Sequence, residues 1–311
     1  MRRIFSALVA VVAALVIAAP VGAITNGVPD AREHPYVGEL LFYVPDAADS
    51  RFDDPGGWFT CSGTLLNSTT VVTAGHCTFG VGRNGVSTTD GGTDTTAAQG
   101  GTGGNDVWIN FDEVPDFSIL PPSSTFGRDE NPERYAAWAA ALNADSHWHR
   151  ATAYPHPQYD DNAFFVHDAG VLKLSSAVSM STYGHVASLR YLDRYQSAPR
   201  NVQRFETVGY GLERVQGKKE FGGDTRMKST PKLISLAGQP RNTYMVISNN
   251  TATGGTCFGD SGGPTFDNTT SNLVVAVTSW GQSPNCGGKG GVYRLDQPDD
   301  LAFLASFGVT P

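Results

Sequence analysis

"TCFGDSGGP", residues 256–264, sets Ser261 among Gly259, Gly262 and Gly263, with Cys257 before it and Pro264 after. A serine hydroxyl serves as a nucleophile where the backbone bares it and nearby N–H groups can face a developing oxyanion. Glycine permits the close approaches and unusual dihedrals that such a turn needs. Gly-Asp-Ser-Gly-Gly alone could be a glycine-rich turn; the flanking cysteine and proline make the string far more specific. A hydroxyl is a weak nucleophile and needs a base. "TAGHC" (73–77) offers His76 just after an apolar strand, and an imidazole of pKa ~6.5 can take and return a proton near neutrality. The base needs an orienting acid, and "HDAGVLKL" (167–174) supplies Asp168 at the head of another strand. The chain order is His76, Asp168, Ser261.

Outward from these motifs, short apolar runs alternate with turn residues. "YVGELLFYV" (36–44), "GTLLNSTTVVTAG" (63–75), "DVWIN" (106–110), "AGVLKL" (169–174), "RFETVGYG" (204–211), "TYMVIS" (243–248), "LVVAVTSWG" (273–281) and "GGVYRL" (290–295) read as strands. With 36 glycines and 18 prolines in 311 residues, the pattern predicts an all-β fold of barrel or sandwich type. Two segments read as helices. "NPERYAAWAAALNAD" (131–145) has Asn131 as a candidate cap, Pro132 in the first turn and one apolar face; "DDLAFLASF" (299–307) opens on two acids. Residues 84–105 are Gly/Thr-rich and read as a surface loop.

The first 23 residues have two arginines, an apolar run from Ile4 to Ala19, a breaking Pro20, and the small residues Val21 and Ala23. This is the pattern of a secretory signal peptide cut after Ala23, and the run falls short of the ~20 residues that span a bilayer. The expectation is a secreted, extracellular protein with no stable membrane association once the leader is gone. Removing the leader leaves 20 basic against 30 acidic side chains, a charge of −10. No basic stripe appears, which argues against nucleic-acid binding. Four cysteines in an oxidising compartment imply two disulfides, for which Cys61, Cys77, Cys257 and Cys286 allow three pairings.

The order of His76, Asp168 and Ser261, with "GHC", "GDSGGP" and "SWG" (279–281) around them, resembles the trypsin- and chymotrypsin-like serine proteases from Ile24 to the C-terminal helix. The resemblance implies two six-stranded antiparallel β-barrels with a C-terminal helix, the first over about 24–192 and the second over about 193–311. It makes Ser261 the nucleophile, His76 the base and then the acid, and Asp168 the residue holding the imidazole's tautomer; the oxyanion hole is the N–H groups of Gly259 and Ser261. Ser279 would lie beside Asp168, and Trp280–Gly281 would offer a strand edge to the substrate backbone. The pairings implied are Cys61–Cys77 and Cys257–Cys286.

The same resemblance locates a specificity pocket at Gly255, Thr256, Ser279, Trp280, Gly281, Gly291 and Tyr293. Gly255 stands where relatives selective for Lys or Arg carry an aspartate. Without that countercharge the pocket should prefer large apolar or aromatic residues before the scissile bond, because a buried cation would go uncompensated. In "VGAITNG" (21–27) the predicted signal-peptidase cut coincides with the bond that frees Ile24, whose ammonium is expected to pair with Asp260. Such pairing raises an α-amino pKa above its usual ~7.7–8.0. Its stabilisation is then present below the unfolded pKa and lost as pH rises through the folded one.

The chemistry needs no metal and no organic cofactor, and the expected partners are a polypeptide substrate and, as a candidate, a proteinaceous inhibitor; the expected state is a monomer. His147 and His149 lack a third ligand nearby in sequence and read as a surface pair, and "RFDDPGG" (51–57) reads as a solvated loop. "NST" (67–69), "NNT" (249–251) and "NTT" (268–270) fit glycosylation acceptors. The stretch between His76 and Asp168 is longer than is usual in the family. The alternatives are a catalytically inactive relative acting as a binding module, a narrow processing protease, or an esterase.

Overall fold

Runs of β-branched and aromatic residues, cut by glycine, asparagine and aspartate, fold as short strands. The computed structural model describes residues 24–82, 104–163, 166–197, 202–236, 243–267 and 272–311. The expected leader (1–23), nearly all of the Gly/Thr-rich loop and the acceptor at 268–270 lie outside the described residues. After β1 (Val28–Pro29) come β2 (Val37–Val44), β3 (Gly57–Asn67), β4 (Thr70–Thr73), β5 (Val107–Asn110), α1 (Asn131–Ala144), β6 (Trp148–Pro155) and β7 (Gly170–Leu174). Strands β2-β3-β4-β7-β6-β5 close into an antiparallel barrel. The run at 63–75, expected as one strand, is a hairpin. Asn67 Oδ1 accepts the Thr69 N–H at 3.0 Å, and this Asx turn reverses the chain between β3 and β4.

The second sheet contains β8 (His185–Val186), β9 (Glu206–Gly209), β12 (Met227–Ser229), β13 (Leu233–Ser235), β14 (Tyr244–Asn249), β15 (Pro264–Phe266), β16 (Leu273–Gly281) and β17 (Gly288–Arg294), and β1 joins it through β12. A separate hairpin, β10 (Leu212–Gln216) with β11 (Lys219–Gly222), projects between β9 and β12. The sheet curls so that the chain entering β13 returns to the chain entering β9. Leu233 N–H donates to Gln203 O (2.9 Å) and Phe205 N–H to Pro231 O (3.0 Å), around the bridge Arg204↔Lys232. The second barrel is therefore closed by one bridge, whereas the first is closed by full ladders.

Leu40 and Phe42 of β2 join the main core, and Leu41 joins a satellite cluster with Trp108, Leu142 and Trp148 under α1. Helix α1 is the expected one, but Asn131 is not its cap. The cap position is Glu130, and the buried Asn131 amide donates to the carbonyls of Asp54, Pro55 and Gly56. The C-terminal α2 (Pro298–Ala305) packs Phe303 and Leu304 into the main core, with Phe307 edge-on to Tyr154 of the first barrel. Among the described residues no helix is long and apolar enough to cross a membrane.

A buried charge network joins the chain start to both barrels. Arg226 donates through Nε to Asp30 (2.9 Å) and through Nη1 to the carbonyls of Val37 (3.1 Å) and Phe111 (2.9 Å). His34 bridges Asp30 (2.5 Å) and Glu206 (3.2 Å). Burial opposes protonation of His34, but the two carboxylates outweigh it and raise the imidazole pKa above 6.5. The network's contribution is thus complete below the unfolded value and lost as pH rises through the folded one. Thermal melts across this window should show a falling midpoint on the alkaline side, with His34→Gln flattening the slope. An unchanged slope in that variant would exclude His34 as its source.

Candidate active site

The register of the first barrel brings two of the three motifs together. Strands β4 and β7 pair antiparallel with Thr73 opposite Gly170. The turn Gly75–Cys77 leaves the end of β4 just where Asp168 enters β7, and the Cys61–Cys77 disulfide ties that turn to β3. His76 N–H donates to Asp168 Oδ1 at 2.9 Å, and His76 Nδ1 lies 3.0 Å from both carboxylate oxygens. Asp168 is fully buried and also accepts the Ser279 hydroxyl at 2.6 Å. The β16–β17 ladder slips between Thr278 and Trp280, an irregularity of the kind that re-aims a side chain. Burial disfavours the His76 cation, but the Asp168 charge prevails and raises the imidazole pKa above its ordinary value.

Ser261 comes from the second barrel and is held by the first. Its carbonyl accepts the Ser62 N–H at 2.7 Å, and the Ser62 hydroxyl donates to Gly259 O at 3.0 Å. Gly262 has φ +76°, and a Cβ there would overlap the Thr73 hydroxyl. Gly259 has φ +94°, with Gly211 Cα 2.7 Å from where its Cβ would stand. Both positions therefore exclude a side chain. The N–H groups of Gly259 and Ser261 meet no acceptor among the described residues, and these two residues share a cleft with His76.

Asp260 is fully buried beneath this turn. Its carboxylate accepts the N–H groups of Gly211 and Cys257, both at 2.8 Å. Gly211 in turn accepts the Ile24 N–H at 3.2 Å through its carbonyl. Ile24 is buried with φ +65°, costly for a β-branched residue. Burial pushes the Asp260 carboxyl up to about 7.

Of the residues assigned to the specificity pocket, Thr256, Ser279, Trp280 and Gly281 line a hollow of about 410 Å³ beside Ser261. Gly255, Gly291 and Tyr293, expected in the same pocket, are buried and do not line this hollow. The Trp280 indole fills the space where Gly291 would carry a Cβ, and the Asn249 amide does the same at Gly255. Tyr293 is buried and donates to Asp300. The sequence marks Asn249 only as a glycosylation acceptor, not as a wall behind Gly255. Asn249 is 1% exposed and donates to Thr256 O, so this glycosylation acceptor is enclosed. The second disulfide, Cys257–Cys286, ties the Ser261 loop to the segment after β16. His147 ion-pairs with Asp112 at the surface.

The trypsin family profile matches residues 133–296, more than half of the chain and including Asp168 and Ser261. The chain belongs to the trypsin family. No curated protein sequence matches it. HL collagenase is similar at 15% identity and a TM-score of 0.58, over 93% of this chain and all of that one. A scabies mite inactivated protease paralogue, S-D1, is similar at 14% identity and 0.59 over the same shares. These structural likenesses bear on the fold. The trypsin-family fold here has both expected disulfides and the barrel-to-barrel cleft.

The raised Asp260 carboxyl makes a stability prediction. The folded state holds this proton up to about pH 7, whereas an unfolded aspartate releases it near ~3.9. The folded state binds the extra proton, so stability of the uncleaved chain should fall as pH rises between these values. Urea unfolding across pH 4–7 should show the decline, and Asp260→Asn should make it shallower. An equal decline in the variant would refute the assignment.

Proposed function

We propose that the chain is a secreted serine endopeptidase that cleaves polypeptides through an acyl-enzyme. The observation that carries this reading is the hydrogen-bonded line from Ser279 through Asp168 to His76, sharing one cleft with Ser261 and two unengaged N–H groups. Ser261 Oγ attacks the scissile carbonyl while His76 Nε2 takes its proton. The tetrahedral oxyanion accepts from the Gly259 and Ser261 N–H groups. His76 then protonates the leaving amine, and water repeats the sequence to release the acid. Asp168 holds Nδ1 protonated and stabilises the imidazolium.

Among the described residues no charged side chain lines the hollow beside Trp280, which supports a neutral pocket favouring apolar or aromatic residues before the scissile bond. A fluorophosphonate should label Ser261 in the native protein and not in Ser261→Ala, and that variant should lose about 10³-fold or more in peptide hydrolysis. A folded native protein that never reacts would favour the binding-module alternative. In a peptide library, faster cleavage after Arg than after Phe or Leu would overturn the pocket assignment.

The Ile24–Gly211–Asp260 chain of contacts supports activation by a single cut. Cleavage before Ile24 would relieve its left-handed backbone and free an ammonium one residue from a buried carboxyl that pairs with no cation among the described residues. N-terminal sequencing of active secreted protein should begin at Ile24; any other start would refute the proposal.

A further inference from the structure

Ser261 stands where two hollows meet. The second, about 710 Å³, is lined by Ser261, His76 and Gly259 and continues past Phe59, Leu212 and Asp224. On the endopeptidase reading, His76 hands its proton to the leaving amine. The hollow that His76 lines therefore receives the part of the substrate after the scissile bond.

This hollow has aromatic walls and an acidic end. Phe59 and Phe258 flank it at 44% and 56% exposure. Asp224 and Glu220 line it and are exposed. Behind Asp224, Glu39 of β2 is 1% exposed, hydrogen-bonds the Asp224 carboxylate, and leaves its Oε2 without a partner. No Lys or Arg among the described residues ion-pairs with Glu39, Glu220 or Asp224. Burial and the neighbouring Asp224 and Asp260 raise the Glu39 carboxyl well above its ordinary range, and burial raises Asp224 as well. Two linked carboxyls at an open cleft, with no cation paired to them among the described residues, suit a cation arriving from outside. A Lys or Arg stem would lie along the aromatic walls while its head reached Asp224.

We infer that the cleft on the leaving-group side is a subsite for a basic side chain, Lys or Arg, within the two residues after the scissile bond. Asp224 makes the contact, and Glu39 is its positioning residue. The inference rests on the endopeptidase reading, and its test separates the two.

Internally quenched peptides should share one apolar residue before the cut and carry Lys, Gln or Glu at the first or second position after it. The native protein should show kcat/KM about tenfold higher for Lys than for Gln at one of these positions, with Glu lowest. The Lys/Gln ratio should shrink at high salt. It should fall towards one in Asp224→Asn and be retained in Asp224→Glu. A native ratio near one with Ser261 still labelled by fluorophosphonate overturns the subsite and leaves the peptidase reading standing. If Ser261 never labels, the peptidase reading fails. The subsite is then judged by titrating the same peptides into Ser261→Ala with and without Asp224→Asn. Weaker binding of the Lys peptide in the double variant supports the acidic contact, and equal binding overturns it.

Discussion

The arrangement around Ser261 depends on one buried carboxylate. Asp260 sits beneath the nucleophile turn and draws together the N–H groups of Cys257, in its own loop, and Gly211, after β9. Those two bonds curl the turn so that Gly259 adopts a left-handed φ and the N–H groups of Gly259 and Ser261 meet no acceptor among the described residues. A fully buried carboxyl is expensive to ionise. The turn is thus built on a group whose charge state the surroundings must control. Ile24 lies one residue away, through Gly211. Asp260 therefore links Ile24 to the nucleophile turn.

The two barrels divide the work unequally. The first is closed by full ladders and holds His76 and Asp168 through the β4–β7 register, which makes their separation a property of strand pairing. The second is closed by a single bridge and presents Ser261 on a glycine turn that is then clamped by Ser62 of the first. A site made from opposite sides of a barrel interface is only as firm as that interface. Here the buried Arg226, reaching Asp30, Val37 and Phe111, spans it together with the packing of α2. At the same interface Asp224 lines a cleft that neither barrel forms alone, with the buried Glu39 behind it.

Much of this is legible in the sequence alone. The strands at 36–44, 106–110, 169–174, 273–281 and 290–295 announce themselves by β-branched and aromatic runs, and the structure has a strand at each. The hairpin β10–β11 escaped because "LERVQGKKEFG" is polar and exposed, so no apolar alternation marks it. The turn within 63–75 escaped because an asparagine side chain, not a glycine or proline, makes it. Asn131 looked like a helix cap by type and position, yet its amide satisfies three carbonyls of a loop some 75 residues earlier. Local propensity cannot anticipate such a long-range claim on a side chain.

By itself the sequence determined the family, the all-β class, the three chemical motifs and the number of cysteines, because each is carried by residue types at short, readable spacings. Only the tertiary structure decided what those residues face. It put the Trp280 indole over Gly291 and the Asn249 amide over Gly255, and it left Glu39 buried behind Asp224 with an unpartnered oxygen. The physical reason is that burial and electrostatic coupling are set by neighbours distant along the chain. A carboxyl's cost, or a pocket's depth, is a property of the assembled interior and has no local signature.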